Sequence, residues 1–368
     1  MGPRNLLNES LRSFRPYITG KPIEEVRREF GLTGPVVKLA SNENPLGVSP
    51  KAREAVLRHL DDIWLYPDDA SYYLRRKLAE RYGLKMENVF AASGSAEIIE
   101  LAARAFLEPG DPVVTSDHTF AICRLSAARA GAVVALAPMI DGGYRYDVEA
   151  IAQRVRPETK YVFLANPTNP TGTWFNAEEF DYLMNRIPED VLVIYDSAYE
   201  EFRTTDDMPD PYRYLKHGRR IAILRTFSKA YGLAGVRCGY ALGPADIIHG
   251  LMLVRPPFNV NLLAQAAALA AMDDVEFVER SRLHAVEELA FLREGLKDLP
   301  VVVPPSQTNF LFVDTPREAA WLHRELQMRG LIVRPMMHDG FPNAVRVTAG
   351  LRPDNEKFLA EFRELILM

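Results

Sequence analysis

The chain has 368 residues, of which 48% are hydrophobic and 25% charged, and its formal net charge is -5. This balance is typical of globular proteins and excludes disordered and fibrous classes. The acidic net charge also disfavours nucleic acid as a partner, because such a partner requires a basic surface.

Cysteine content and hydropathy predict the compartment. Cys123 and Cys238 are the only two cysteines, too few for a disulfide framework or a zinc site, so we expect no metal and a reducing environment. The first twenty residues lack the apolar core of a signal peptide, and no apolar run is long enough to span a bilayer. We therefore expect a cytoplasmic protein without a membrane segment.

Apolar strands alternate with amphipathic helices in the first two thirds of the chain, which is the pattern of an α/β sheet. Several strands are apolar on both faces, which favours a mostly parallel, buried sheet. The predicted strands are residues 88–92, 111–116, 132–138, 160–166, 191–196, 220–226 and 238–243, and the predicted helices include 95–107 and 176–187.

The pattern changes after about residue 260. Long helices are predicted over 262–274 and 275–299, followed by short strands at 301–303, 309–313, 331–335 and 344–350. We predict a large domain over 46–260 and a smaller α+β domain over 261–368, which the segment 1–45 joins.

A cluster of cations follows the strand at 220–226. Arg225, Lys229 and Arg237 lie within the stretch RTFSKAYGLAGVR, and they would repel each other unless an anion sits among them. Thr226 and Ser228 add two hydroxyls, so together with Arg237 they predict a phosphate site.

A second segment, SGSAEII, leads from a short strand into a helix, whose N-terminal amides also suit a phosphate. Taken alone, this segment is better explained by an ordinary helix cap at Ser95. Ala96 follows it. The hydroxyls and the guanidinium at the neighbouring strand end favour the phosphate interpretation.

Lys229 and Asp196 suggest covalent chemistry. An amine at the edge of an apolar site can lose its proton and attack an aldehyde, although most lysines are solvated surface charges. Asp196 ends the apolar run VLVIY, and a buried carboxylate needs a partner. A pyridinium N–H would be such a partner, as in pyridoxal phosphate enzymes, and a structural hydrogen bond is the alternative.

Three further residues follow strand ends. In NPTNPTG the prolines and glycine fit a rigid turn, which does not require Asn169, so its amide is a candidate ligand for a substrate or cofactor oxygen. Tyr199 could reach the same ring as Asp196, or be a core tyrosine. Phe120 could stack on a planar ring or belong to the core.

These motifs resemble those of the fold-type I, class I/II pyridoxal-phosphate aminotransferases, and among them look most like the histidinol-phosphate aminotransferases. The resemblance covers nearly the whole chain, through KLASNENPLG, YPD, NPTNPTGT, YDSAY, RTFSKAYGLAGVRCGY, PFNVN and VRVTAG. It implies an α/β fold whose large domain has a mostly parallel seven-stranded sheet flanked by helices. It also implies a homodimer with shared active sites.

The resemblance further implies roles for the site residues. Lys229 would bind pyridoxal 5'-phosphate as a Schiff base and shuttle a proton, Asp196 would keep the pyridine nitrogen protonated, and Asn169 and Tyr199 would contact the phenolic oxygen. Phe120 would stack on the ring. The cofactor phosphate would be bound by Ser95, Thr226, Ser228 and Arg237, with Ala96 beside them and Tyr66 supplied by the partner subunit.

Arg346 matches the family arginine that takes the substrate's carboxylate or phosphate, for which a bidentate guanidinium is suited. Arg334, Tyr17 and Tyr66 resemble additional substrate contacts, although a surface arginine and a packed tyrosine would explain Arg334 and Tyr17 as well. The chain departs from the family pattern at Ser197, where glutamate is usual, at Ala96, often Asp or Asn, and at Phe120, often Tyr.

The activity implied is amino transfer between histidinol phosphate or L-glutamate and a 2-oxo acid or imidazole acetol phosphate, by a ping-pong mechanism in histidine biosynthesis. An aromatic amino-acid aminotransferase is the nearest alternative, because a flat ring and an anion describe both substrates. A pyridoxal-phosphate decarboxylase ranks third, since fold alone does not fix the reaction. A cofactor-binding regulator would need a DNA-binding module, and no basic helix-turn-helix segment precedes residue 40.

Overall fold

The structure, a computed structural model, describes residues 20–368. Its strands are β1 Val37–Lys38, β2 Val89–Ala92, β3 Pro112–Ser116, β4 Val133–Ala137, β5 Met139–Ile140, β6 Arg145–Tyr146, β7 Tyr161–Ala165, β8 Leu192–Asp196, β9 Ile221–Thr226, β10 Gly239–Leu242, β11 Phe310–Asp314, β12 Leu331–Ile332, β13 Arg334–Pro335 and β14 Ala344–Thr348.

The helices are α1 Ile23–Phe30, α2 Pro50–Arg58, α3 Tyr72–Tyr82, α4 Ser95–Phe106, α5 Ala121–Arg129, α6 Val148–Arg154, α7 Ala177–Met184, α8 Pro211–Lys216, α9 Ala245–Val254, α10 Leu262–Ala271, α11 Val275–Leu296, α12 Ala319–Met328 and α13 Arg352–Leu367. In the part of the chain that the structure describes, none of them combines the length and the apolar character that crossing a membrane requires.

The central sheet has seven strands in the order β2-β10-β9-β8-β7-β3-β4. Its pairs are parallel except those of β10, which runs antiparallel to both β2 and β9. The predicted mostly parallel α/β sheet is therefore confirmed, and each of its seven strands lies within the range that the sequence predicted.

Both faces of this sheet are covered, as the apolar strands require. On β7, Val162 and Leu164 join one hydrophobic cluster, while Tyr161, Phe163 and Ala165 join another on the opposite face. This alternation follows from the two-residue period of a strand. The sheet therefore separates two hydrophobic clusters, one on each face.

A second sheet, in the order β11-β14-β13, lies in the C-terminal part of the chain, and β1 pairs in parallel with β12. Two predictions are wrong in detail. Residues 301–303 form only an isolated bridge, from Val302 to Asp314, and residues 331–335 divide into the separate strands β12 and β13. The predicted boundaries of the two domains stay a prediction.

Helix ends follow local capping. Asn176 begins α7 with a capping box, in which its side chain accepts from the amide of Glu179 and the Glu179 side chain accepts in return. The helix ends at Met184, earlier than the predicted residue 187, because Pro188 follows and disfavours helical conformation in the residue before it.

Candidate active site

A cavity of about 240 Å³ opens at the carboxyl ends of β7, β8 and β9. Because these strands are parallel, their carboxyl ends meet at one edge of the sheet, where open α/β sheets bind ligands. Its lining includes Ser41, Glu43, Ser95, Ala96, Phe120, Asn169, Asp196, Tyr199, Thr226, Ser228, Lys229 and Arg237. Ten of the predicted site residues are thus brought together.

One side of the cavity is suited to an anion. The hydroxyl of Thr226 lies 3.0 Å from that of Ser228, and Arg237 donates to Ser228 Oγ at 3.3 Å. Ser95 is the first residue of α4, and Gly94 before it has a φ of 88°. A Cβ at Gly94 would collide with the Arg237 guanidinium, so glycine is required for this approach.

Lys229 is half-buried in the cavity. Its Nζ donates to the backbone oxygen of Ser41 at 3.2 Å. Burial, together with the charges of Arg346 and Arg237, lowers the pKa of Lys229 to about 7, against the opposing effect of Glu43 and Asp196. The amine is therefore partly neutral near pH 7 and can act as a nucleophile.

Asp196 ends β8 and is 6% exposed. Burial raises its pKa to about 6, although the backbone amide of Ala198 donates to it at 3.2 Å and Lys229 and Arg225 favour the charged form. Among residues 20–368 no cation lies within ion-pair distance of this carboxylate. The site therefore has room for a cationic or hydrogen-bond-donating ligand at Asp196.

Tyr199 lies on the same side of the cavity as Lys229. The side-chain amide of Asn42 donates to its hydroxyl at 2.8 Å, and Lys229 Nζ lies 5.8 Å from the centre of its ring. The ring meets Phe310 edge-on. Tyr199 is therefore held by contacts on both its ring and its hydroxyl.

The two asparagines of NPTNPTG have different surroundings. Asn166 is fully buried, and its amide nitrogen donates to Phe175 O and to the Tyr195 hydroxyl. Asn169 lines the cavity and accepts a hydrogen bond of 2.6 Å from Arg346. Asn166 therefore holds the loop together, whereas Asn169 faces the cavity.

Arg346 and Arg334 lie directly opposite each other on β14 and β13. Both are buried, with 9% and 8% of their surface exposed. Arg346 also donates to Ala40 O at 3.0 Å. The two arginines are thus paired across neighbouring strands, and the guanidinium of Arg346 lies beside Asn169, where it suits an anion.

Tyr66 and Tyr17 are not brought to the cavity by the described structure. Tyr66 is 80% exposed and stacks on Phe258 at 4.5 Å between ring centres. Tyr17 lies outside the described residues. The roles predicted for both therefore stay predictions.

The sequence of residues 34–362 matches the family described as Aminotransferase class I and II. The chain belongs to this family. It is 43% identical over 98% of its length to a histidinol-phosphate aminotransferase from Anaeromyxobacter sp., of which the match covers 99%. It is 42% identical over 97% of its length to one from Moorella thermoacetica, of which the match covers 92%.

A solved structure has the same fold as this chain. It is the histidinol-phosphate aminotransferase of Sinorhizobium meliloti in complex with pyridoxal-5'-phosphate, which superposes with a TM-score of 0.88 at 27% identity and covers 99% of this chain and 98% of that one. Within residues 20–368, no three His, Cys, Asp or Glu side chains are grouped so as to hold a metal ion.

Arg225 corrects one expectation of the sequence analysis. Its side chain does not share an anion with Lys229 and Arg237, but pairs with Glu200, at 2.5 Å, and with Glu201. Neighbouring residues of a strand point to opposite faces, so Arg225 points away when Thr226 faces the cavity. Two acidic partners for Arg225 were visible in the sequence, because Glu200 and Glu201 directly follow Tyr199.

The segment KLASNENPLG, residues 38–47, also contributes to the cavity. Three of them, Ser41, Asn42 and Glu43, contact or line the cavity beside Lys229 and Tyr199. Only the resemblance of KLASNENPLG to the family motif indicated these three residues. Nothing in the local pattern predicts that residues near position 42 meet strands 150 residues later in the chain.

Proposed function

We propose that this chain is a pyridoxal-phosphate aminotransferase that exchanges amino groups between histidinol phosphate, L-glutamate and their oxo counterparts, in two half-reactions at one site. The relatives named above carry the histidinol-phosphate name at 42% to 43% identity over nearly the whole chain. The single observation that carries the proposal is the buried amine of Lys229, whose pKa is lowered to about 7, in one cavity with Asp196.

The residues present fit pyridoxal phosphate. Thr226, Ser228, Arg237 and the N-terminus of α4 at Ser95 would hold the phosphate, since they combine hydroxyls, a guanidinium and helix amides. Asp196 would accept a hydrogen bond from the ring nitrogen. This would satisfy a carboxylate that burial otherwise disfavours.

Bound pyridoxal phosphate supplies an aldehyde and a ring that accepts the electron pair released when a substrate C–H bond breaks. Lys229, once displaced by the donor's amine, would take the proton from the substrate α-carbon as a neutral base. An amine with a pKa near the working pH is suited to this transfer. Tyr199 and Asn169 would hold the phenolic oxygen, and Phe120 would cover the ring.

The substrate's anion would bind at Arg346 and Arg334. Arg346 already donates to Asn169 and so connects the anion site to the cavity wall. A phosphate carries up to two negative charges, and two guanidinium groups on neighbouring strands can balance them. L-Glutamate would use the same pair through a carboxylate.

We further infer a homodimer with shared active sites, located in the cytoplasm. The exposed aromatic residues support the dimer, because Trp64 and Tyr66 are each 80% exposed and Ile63 is 64% exposed. Contiguous apolar surface of this kind is typical of interfaces. Sedimentation velocity of the purified protein would test the dimer, and a monomer at all concentrations would contradict it.

The function is tested by absorbance titration of the purified, cofactor-loaded protein. Histidinol phosphate should remove the absorbance band of the lysine-bound cofactor at much lower concentration than phenylalanine, and 2-oxoglutarate should restore it. If phenylalanine acts at the lower concentration, the aromatic activity replaces the proposed one. If protein supplied with pyridoxal phosphate develops no band, Lys229 does not have the proposed role.

A further inference from the structure

The segment Ser41–Glu43 lies over the amine of Lys229. Ser41 accepts the hydrogen bond from Lys229 Nζ at 3.2 Å, and Asn42 donates to the hydroxyl of Tyr199 at 2.8 Å. Glu43 lines the same cavity as Lys229. This segment belongs to a motif that the proposed function does not use.

The backbone of this segment is firmly held. The Asn42 amide donates to Thr348 Oγ1 at 2.9 Å, and Asn309 donates to the carbonyls of Asn42 and Glu43 at 3.2 and 3.3 Å. Asn44 donates to the carbonyl of Ala230, the neighbour of Lys229, at 3.0 Å. The position of Glu43 relative to Lys229 is therefore fixed from both sides.

The cavity lining contains two carboxylates, Asp196 and Glu43. Asp196 is buried at the end of β8, whereas the side chain of Glu43 is 46% exposed and forms an ion pair of 2.9 Å with Lys38. The charges of Glu43 and Asp196 both raise the pKa of Lys229, against the effect of burial and of the two arginines. Lys38 is placed to moderate the negative charge of Glu43.

We propose that Glu43 is the counter-charge for the amines that exchange at Lys229, namely the lysine's own ammonium and the primary ammonium of the incoming amino donor. Lys38 sets the strength of this counter-charge through its ion pair. The inference rests on the proposed function, in which both amines bond in turn to the same carbon of the cofactor and so approach the same place. Glu43 is thus a positioning residue for primary ammonium substrates.

The chemistry explains why such a charge is needed. A primary ammonium must release one proton before its nitrogen can add to the carbon. One water would leave when Lys229 adds to the aldehyde, whereas the amine of Lys229 would leave when the donor's nitrogen replaces it. The charges of Arg346 and Arg237 disfavour an ammonium at Lys229, and an anion on the same cavity wall offsets this effect. Asp196 would not be available for this, because the ring nitrogen would already occupy it.

The test compares Glu43→Gln with Lys38→Met in the cofactor-free, full-length protein. Pyridoxal phosphate is added over a range of pH, and the rate at which the band of the lysine-bound cofactor appears reports the neutral fraction of Lys229. Loss of Glu43 removes an anion, so the midpoint of the pH dependence of this rate should fall by about 0.5 to 1 pH unit. Lys38→Met should move it upward, because Glu43 then acts unopposed.

Glu54→Gln is the matched control, since Glu54 is an exposed acid paired with Arg58 on α2. It should leave the midpoint unchanged. In the loaded enzyme, Glu43→Gln should also raise KM for amino donors several-fold with a smaller change in kcat, because the charge acts on the arriving ammonium. A purely structural role would change the unfolding temperature without moving the midpoints in opposite directions.

Midpoints that do not move, or that move in the same direction in both variants, would overturn the inference. Should Glu43→Gln fail to fold, the upward shift in Lys38→Met decides alone. A band that forms in every variant with unmoved midpoints contradicts only the role of Glu43. The absence of any band in the unmodified protein contradicts the proposed function instead.

Discussion

Two groups of buried charges lie on either side of β9, and they are organised differently. On one face, Arg225 pairs with Glu200 and Glu201 and also donates to the hydroxyl of Tyr212 at 2.6 Å. On the other face, Lys229 and Asp196 share a cavity, and in the described part of the chain neither has an ion-pair partner.

The charges around Arg225 are a structural group, whereas Lys229 and Asp196 belong to the candidate site. The charges around Arg225 satisfy each other, and the hydroxyl of Tyr212 donates to Glu200 at 3.0 Å. The charges in the cavity are shifted toward neutrality by burial, since the pKa of Lys229 falls to about 7 and that of Asp196 rises to about 6. Buried ionisable groups without partners are costly, so they indicate a site that a ligand completes.

The largest effect should come from removing the amine on the cavity side. Lys229→Ala is expected to lower the turnover number by about 10⁴-fold, near the upper end of what one acid–base group contributes. The absorbance band of the lysine-bound cofactor should be absent as well. Lys297→Ala, which removes an exposed lysine of an ion pair, is the control and should retain both turnover and band.

Arg225→Met tests the opposite face. It leaves Glu200 and Glu201 without their buried cation, so the free energy of unfolding should fall by about 3–5 kcal/mol, measured by urea denaturation. The dissociation constant for pyridoxal phosphate should change little. A loss of cofactor affinity as large as the loss of stability would show that the two faces are coupled and would break the distinction drawn between them.

Asp196→Asn keeps the shape of the side chain and removes its charge. We expect the band of the lysine-bound cofactor to form, while kcat falls by about 10²–10³-fold, because a preorganised charge beside the reacting ring is lost. Stopped-flow absorbance after mixing with histidinol phosphate measures the slowed step. A variant with unchanged kcat would make Asp196 a structural residue like those around Arg225.

The sequence predicted the central sheet well because its information is local. Apolar runs such as those of β7, β8 and β9 specify buried strands, and the polar residue that follows each run lies at the edge where the strands meet. Lys229, Asp196 and Asn169 were therefore found from the residues themselves. The small strands were less well predicted, since β12 and β13 have only two residues each.

Long-range contacts account for what the sequence did not predict. Asn42 contacts Tyr199, and Glu43 lines the same cavity as Lys229, across more than 150 residues of chain, which no local pattern encodes. The partner of Arg225 was misassigned for a different reason. Three nearby cations suggested one common anion, but the two-residue period of β9 directs Arg225 to the other face.

The smallest expected effect is the pH dependence of the folding stability that arises from Lys229. The folded pKa of Lys229, about 7, lies below its ordinary value of 10.5, so between these values the unfolded chain binds one more proton than the folded one. Stability then rises with pH, by about 1.4 kcal/mol for each unit. Below pH 7 both states are protonated and this contribution is constant.

Lys229→Met lacks this dependence, so its stability relative to that of the unmodified, cofactor-free protein should decrease by about 2–3 kcal/mol between pH 7 and 9. Urea denaturation of both proteins at several pH values measures the difference. The pKa of Asp196, raised to about 6, acts mainly below pH 6, where it makes stability fall as pH rises. Because the charge of Lys229 lowers this pKa, Lys229→Met raises it further, and the upper part of the range, from pH 8 to 9, reports on Lys229 itself. A difference that stays constant from pH 7 to 9 would mean that Lys229 keeps its ordinary pKa when folded. The contrast with the paired charges around Arg225 would then no longer hold.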